Sequence, residues 1–121
     1  MVQPPVKIPV NLEEAVQDLM VNMPSDRASA WAARPRRRAT ALAHLGIGTW
    51  MRNNWGLWHG SELRDFLRSE YLLLDADGMS GLILDTLWSD LNFKPRLRLK
   101  HAEKQAAELK KQFPNAGNML S

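Results

Sequence analysis

The chain contains no cysteine, so a disulfide framework, a thiolate metal site and a cysteine nucleophile are all excluded. Histidine is scarce as well. Only His44, His59 and His101 occur, and no two stand at the three- or four-residue spacing that lets a helix present a metal-binding pair. Long apolar runs are also missing, since none approaches the roughly 20 residues that span a bilayer. The opening MVQPPVKIPVNLEEAVQ sets prolines and acidic residues where a signal peptide carries its apolar stretch. These absences predict a cytoplasmic protein with no membrane contact. No nucleophile elbow, phosphate-cradling glycine loop or paired-carboxylate arrangement appears, and the glycines of GIG at 46–48 follow no strand. Neither an enzyme nor a cofactor is therefore expected.

What is present is the composition of one ordinary globular domain: 121 residues, 45% hydrophobic and 24% charged. The net charge of +3 is unevenly spread. Residues 1–93 hold nine Lys+Arg against eleven Asp+Glu, a net of −2, whereas residues 94–121 hold seven against two, a net of +5. Four of the nine cations in the acidic body fall in one run, Arg34, Arg36, Arg37 and Arg38. The run and the tail are the electrostatic leads towards an anionic partner.

Apolar spacing predicts helices throughout. Pro4, Pro5 and Pro9 make residues 1–10 an extended lead-in, because each proline fixes φ and lacks an N–H. Asn11 with Glu14 three residues on suggests a capped start, and Leu12, Val16, Leu19, Met20 and Met23 then define a helix over 12–23. A second helix is predicted from Ser25-Asp26 to Ala33. A third, over 36–54, follows Pro35 with an apolar stripe of Ala39, Leu42, Ala43, Gly46, Ile47, Trp50 and Met51. Gly46 and Gly48 inside it each cost about 1 kcal/mol relative to alanine, which suggests close approach of another backbone or a tryptophan ring. Ser61 caps a fourth helix over 62–72. A fifth, over 79–91, carries Leu82, Ile83, Leu84, Leu87, Trp88 and Leu91, an arc wide enough for the central helix. Leu99, Ala102, Ala106, Leu109 and Phe113 form the narrow seam of a basic amphipathic helix over 96–113, able to dock on its own body or on a second copy. The closing PNAGNMLS reads as a frayed end. Apart from Tyr71 to Leu74, no strand-like run is visible. The fold class is all-α: a compact bundle of about five helices at 11–92, with a C-terminal basic amphipathic helix and tail at 93–121.

Two segments invite chemistry. DADGMSGLILDT places Asp75 and Asp77 where a calcium loop has its first two ligands, but Met79, Ser80 and Thr86 stand where the loop needs a ligand, a glycine and a glutamate. The alternative is a cap from Asp77 or Ser80, with Gly78 at positive φ. TWMRNNWGLW gathers Trp50, Trp55 and Trp58, three of the five tryptophans, around Arg52. Its structural reading has Asn53 or Asn54 in the left-handed conformation, Arg52 near the last helical carbonyls, and Trp55, Leu57 and Trp58 folded back as a lid. The rival reading makes Arg52 and Trp58 interface anchors. A third possibility sets His44 and Arg52 in a ligand pocket between the third and fifth helices.

The blocks IPVNLEEAVQDL, AHLGIGTWMRNNWGLWHGSEL and DGMSGLILDTLWSDLN, in that order, resemble a small bacterial domain family of unknown function. It is marked by a Leu-Glu-Glu-Ala start, a central RNNWGLW segment and a helix with Asp-x-Met-Ser-Gly and Leu-Trp. The resemblance spans roughly residues 8–92. It implies one compact domain with an added basic extension, and it brings no activity, cofactor or catalytic residue with it.

The leading functional expectation is a small non-enzymatic protein-binding module of bacterial or phage origin, of the inhibitor, immunity or anti-defence accessory type. Its partner-binding residues are expected to be Arg36, Arg37, Arg38, Arg52, Trp58, Lys100, Lys104 and Lys110. The alternative is a nucleic-acid-associated protein using the basic segments 34–38 and 94–111, in which each phosphate contact would make affinity salt-dependent. Homo-oligomerisation through the helix at 96–113 is a further expectation.

Overall fold

Seven helices follow one another in the computed structural model, which describes residues 7–114. They are α1 (Leu12–Asn22), α2 (Ser25–Ala32), α3 (Arg36–Leu45), α4 (Ile47–Asn54), α5 (Glu62–Tyr71), α6 (Ala76–Leu91) and α7 (Leu97–Gln112). No strand occurs among the described residues, so the fold is all-α. None of these helices is long and apolar enough to cross a membrane. Residues 1–6 of the expected lead-in and nearly all of the expected frayed end lie outside the described residues.

Local chemistry explains most helix boundaries. Asn11 Oδ1 accepts from Glu14 N at 2.8 Å, and Ser61 Oγ from Arg64 N at 3.1 Å, so α1 and α5 begin on side-chain caps. Pro24 and Pro35 occupy the cap positions of α2 and α3. The first of these displaces Ser25 from the expected capping role. The central helix starts three residues earlier than its apolar pattern indicates, because Asp75 is its cap: Oδ1 accepts from Gly78 N at 2.6 Å. Asp77, Gly78 and Ser80 therefore belong to α6 itself, and Gly78 is not at positive φ. The run from Tyr71 to Leu74 forms no strand, and Leu72 closes α5 in the left-handed conformation at φ 54°.

The expected single helix over 36–54 is two helices, which raises the count above the six segments predicted. Gly46, at φ −95° and ψ −98°, breaks it. The break turns the C-terminal half, so the apolar stripe does not stay on one face. Ala39, Ala43 and Met51 point inward, while Leu42, Leu45 and Trp50 are exposed.

The core is built around α6, where eleven of sixteen residues are buried. α1, α2, α3, α4 and α7 all pack against it. A helix apolar on nearly every side must be enclosed to be stable, and the order of the other helices follows from that need. Indole and amide donors lace the α2–α3 corner into place. Trp31 Nε1 donates to Ala39 O at 2.7 Å, Trp88 Nε1 to Arg34 O at 3.0 Å, and Asn92 Nδ2 to Ala32 O at 3.1 Å. The Ala32 and Arg34 carbonyls, where α2 stops and α3 begins, are thus satisfied from α6 and its C-terminal cap.

After α4 the chain turns through Gly56 at φ +68°, where an added Cβ would meet Gly60 O at 2.5 Å. The turn sends Trp55 and Leu57 into the core, with Trp55 edge-on to Trp50 at 5.6 Å between centroids. Trp58 stays 48% exposed, so the lid comprises two of the three residues expected in it. Neither Asn53 nor Asn54 is left-handed, and Trp55 terminates α4 at φ −102°.

The basic helix α7 docks on α5 and α6 of its own chain. Leu99 and Ala106 face inward, whereas Leu109 and Phe113 remain exposed. Its anchor is Arg96, whose guanidinium bonds Asp90 at 2.6 and 2.8 Å and also clasps Glu13 of α1. Those two carboxylates hold the guanidinium pKa above its ordinary value.

The burial contrast within the tryptophan corner yields a measurable difference. Trp55→Ala is expected to lower unfolding free energy by about 3–5 kcal/mol, as for other large-to-small changes at buried aromatics. Trp58→Ala should cost less than about 1 kcal/mol, since it forfeits a half-exposed ring and one cation–π contact. Urea unfolding followed by far-UV circular dichroism measures both.

Candidate functional site

The break at Gly46 frees carbonyls at the end of α3, and the chain answers with cations and hydroxyls from the next helix. Arg52 Nη2 donates to His44 O at 2.9 Å, and Thr49 Oγ1 donates to Leu45 O at 3.0 Å. A guanidinium so placed meets the negative end of the α3 dipole and its orphan carbonyls together. Arg52 Nη1 reaches across to Ser80 Oγ of α6 at 2.8 Å and faces His44 Nδ1 at 3.4 Å, while Nη2 also meets Thr49 Oγ1 at 3.0 Å. Asp77 Oδ1 lies 3.5 Å from Nε, and the Trp58 ring sits 6.0 Å from the guanidinium carbon. Gly48 provides the room, for a Cβ there would come 3.0 Å from Arg52 Nη1 and 3.1 Å from Ala43 O. The close neighbours of Gly48 are thus a guanidinium and a backbone carbonyl, so of the two expected causes it is the approach of backbone and not of a tryptophan ring.

At 5% exposure, Arg52 is an interior residue joining α3, α4 and α6. Its expected companion Trp58 lies outside, covering it. The other expected contact residues divide similarly. Arg36 lies 3.8 Å from Asp85 and stacks 5.0 Å from the Trp88 ring, and Lys110 Nζ reaches Glu70 O at 3.4 Å, so both serve contacts within the chain. Arg37, Arg38, Lys100 and Lys104 are exposed. The structure brings the start of α3 and the start of α7 to one groove, lined by Arg37 and by Arg98, a residue that sequence reasoning passed over. The signal for Arg98 was Gly81, a glycine inside the most apolar helix.

A second surface lies at the other edge of the α3–α4 pair. Leu42, Leu45 and Trp50 are exposed at 53%, 80% and 42%. Beside them run two shallow clefts of about 520 and 270 Å³, both lined by Met23 and Ile47. Arg27 and Arg34 stand at the smaller cleft. Leu42 and Trp50 belong to the stripe that the sequence reads as inward-facing, and Leu45 falls outside it.

The calcium reading is displaced by observed roles. Asp75 caps α6 and Asp77 faces Arg52. Among the described residues, no group of three or more His, Asp or Glu side chains is placed to hold a metal ion.

Compared with known proteins, residues 8–91 match the family described as a domain of unknown function, DUF6794. No curated protein and no solved structure matches the chain.

The Arg52 network predicts its own sensitivity. Arg52→Met should cost about 2–4 kcal/mol, because the charge-assisted hydrogen bonds to Ser80, Thr49 and the His44 carbonyl are all lost. Arg52→Lys keeps the charge but not the fork that serves α3 and α6 at once, so it should recover less than half of that loss. Denaturant titration of the two variants provides the comparison.

Proposed function

Since the chain belongs to the DUF6794 family, whose description carries no activity, we propose from its surface that it is a non-enzymatic protein-binding module. The supporting observation is exposed Leu42 and Trp50 at clefts that Met23 and Ile47 also line, with Leu45 exposed on the same helix as Leu42. A solvent-facing leucine and tryptophan at shallow apolar clefts have the character of an interface core, in which a few aromatic and aliphatic anchors dominate binding. They lie on two consecutive helices and suit an amphipathic helix laid into the groove. Arg27 and Arg34 at one cleft favour a partner with acidic residues flanking its apolar anchors. Small inhibitors, immunity proteins and anti-defence accessory factors work by contacts of this kind, and we place the chain in that class.

The nucleic-acid reading draws on exposed Arg37, Arg38, Lys100 and Lys104. It has weaker support, because Arg36 is engaged with Asp85 and Trp88, and among the described residues no aromatic ring stacks on Arg37, Arg38, Lys100 or Lys104 to receive a base.

Affinity capture from the producing cells separates these readings. Wild-type bait should recover a stoichiometric protein that survives nuclease treatment. Leu45→Asp with Trp50→Ala should abolish recovery, and Lys100→Ala with Lys104→Ala should leave it unchanged. Capture that vanishes with nuclease or with the lysine changes would reverse the order of the two readings.

A further inference from the structure

We propose that the groove between α3, α6 and the start of α7 binds a phosphate monoester, independently of the apolar face. The groove encloses about 370 Å³, and its polar lining includes Arg37, His44, Asp77 and Arg98. Arg98 lies flat on the central helix, where a Cβ built at Gly81 would sit 2.9 Å from its Nη2 and 3.3 Å from its Cζ. Glycine at position 81 therefore makes the seat for a guanidinium. Among the described residues, neither Arg98 nor Arg37 forms an ion pair.

The charge behind the wall is positive as well. Arg52 is 5% exposed and touches two of the lining residues, with Nε 3.5 Å from Asp77 Oδ1 and Nη1 3.4 Å from His44 Nδ1. Its buried Nε has no hydrogen-bond acceptor. Asp77 is the one carboxylate among the lining residues and already faces this cation, so it leaves the cationic excess of the groove standing. A guanidinium can only donate, so the His44 tautomer that accepts from Arg52 at Nδ1 is the one that carries its proton on Nε2 as a donor for a ligand in the groove.

Donors therefore come from two walls: Arg37 and His44 on α3, and Arg98 on α7. A planar carboxylate is satisfied by one arginine fork. A phosphate monoester offers three terminal oxygens and up to two negative charges, which matches two forks and an imidazole N–H. A phosphodiester offers two free oxygens and one charge, and matches less well. The monoester group could belong to a small metabolite or to a phosphorylated side chain, since both present the same chemistry.

NMR titration of the full chain tests the proposal, following the arginine Nε–H and His44 ring signals at constant ionic strength. The probes are inorganic phosphate, an O-phosphoserine peptide and a short oligonucleotide, with chloride as control. Saturable shifts at Arg37, Arg98 and His44 are expected with inorganic phosphate. Tighter binding of the peptide would identify a phosphorylated side chain as the source, and equal affinity would identify a free phosphorylated metabolite. Arg37→Ala and Arg98→Ala should each weaken binding about tenfold, the loss expected for a charge-assisted pair. Gly81→Ala is the sharper variant. Alanine favours the helix, so the protein should melt no lower than the parent, yet the displaced Arg98 should reduce affinity. Shifts reproduced by chloride, oligonucleotide binding equal to that of the monoesters, or parent-like affinity in Gly81→Ala and Arg98→Ala would overturn the proposal.

Discussion

The enclosure of α6 is the constraint from which the rest of the molecule follows. Buried residues run without interruption from Leu82 to Ser89, and no side of that stretch can face water. Five helices must therefore wrap it, which leaves little freedom in where they lie. The burial extends to polar side chains, and these fix orientation. Thr86 bonds back to Leu82 O at 2.8 Å, Asp85 faces Arg36, and Ser80 receives Arg52. Apolar contact alone would permit the surrounding helices to slide, whereas the contacts of Asp85 with Arg36 and of Ser80 with Arg52 require particular registers of α3 and α4.

The α3–α4 break shows how a local defect became an organising feature. The end of α3 leaves carbonyls without helical partners, and Arg52 and Thr49 supply the donors. The same arginine bonds Ser80, so the angle between α3 and α4 is tied to the position of α6. Leu42 and Leu45 of α3 and Trp50 of α4 are exposed on the two sides of the break. The break at Gly46 thus organises an internal hydrogen-bond junction.

Much of this was legible in the sequence. The all-helical class, the capped starts at Asn11 and Ser61, the central role of α6 and the inward face of Leu99 and Ala106 follow from spacing and cap chemistry. The split at Gly46 was not legible, because glycine inside an apolar stripe is compatible with a continuous helix, a kink or a stop, and the choice depends on what packs beside it. Asp75 was passed over as the cap of α6 because two other candidates followed it within five residues. Arg52 was recognised as a residue near helical carbonyls, but its reach to Ser80, 28 positions away, is a property of the folded chain. The candidate site was least legible of all. Trp58 and the arginine run drew attention by composition, whereas the Leu45 edge and the Arg98 groove arise from tertiary placement.

If enclosure of α6 governs stability, helices should open in order of their commitment to it. Native-state hydrogen exchange measures this directly. The account predicts that the amides of Leu82 to Ser89 exchange only by global unfolding, while those beyond Ala106 in α7 exchange through local opening at much lower free energy. Exchange of the α6 amides at the same low free energy as the end of α7 would contradict it.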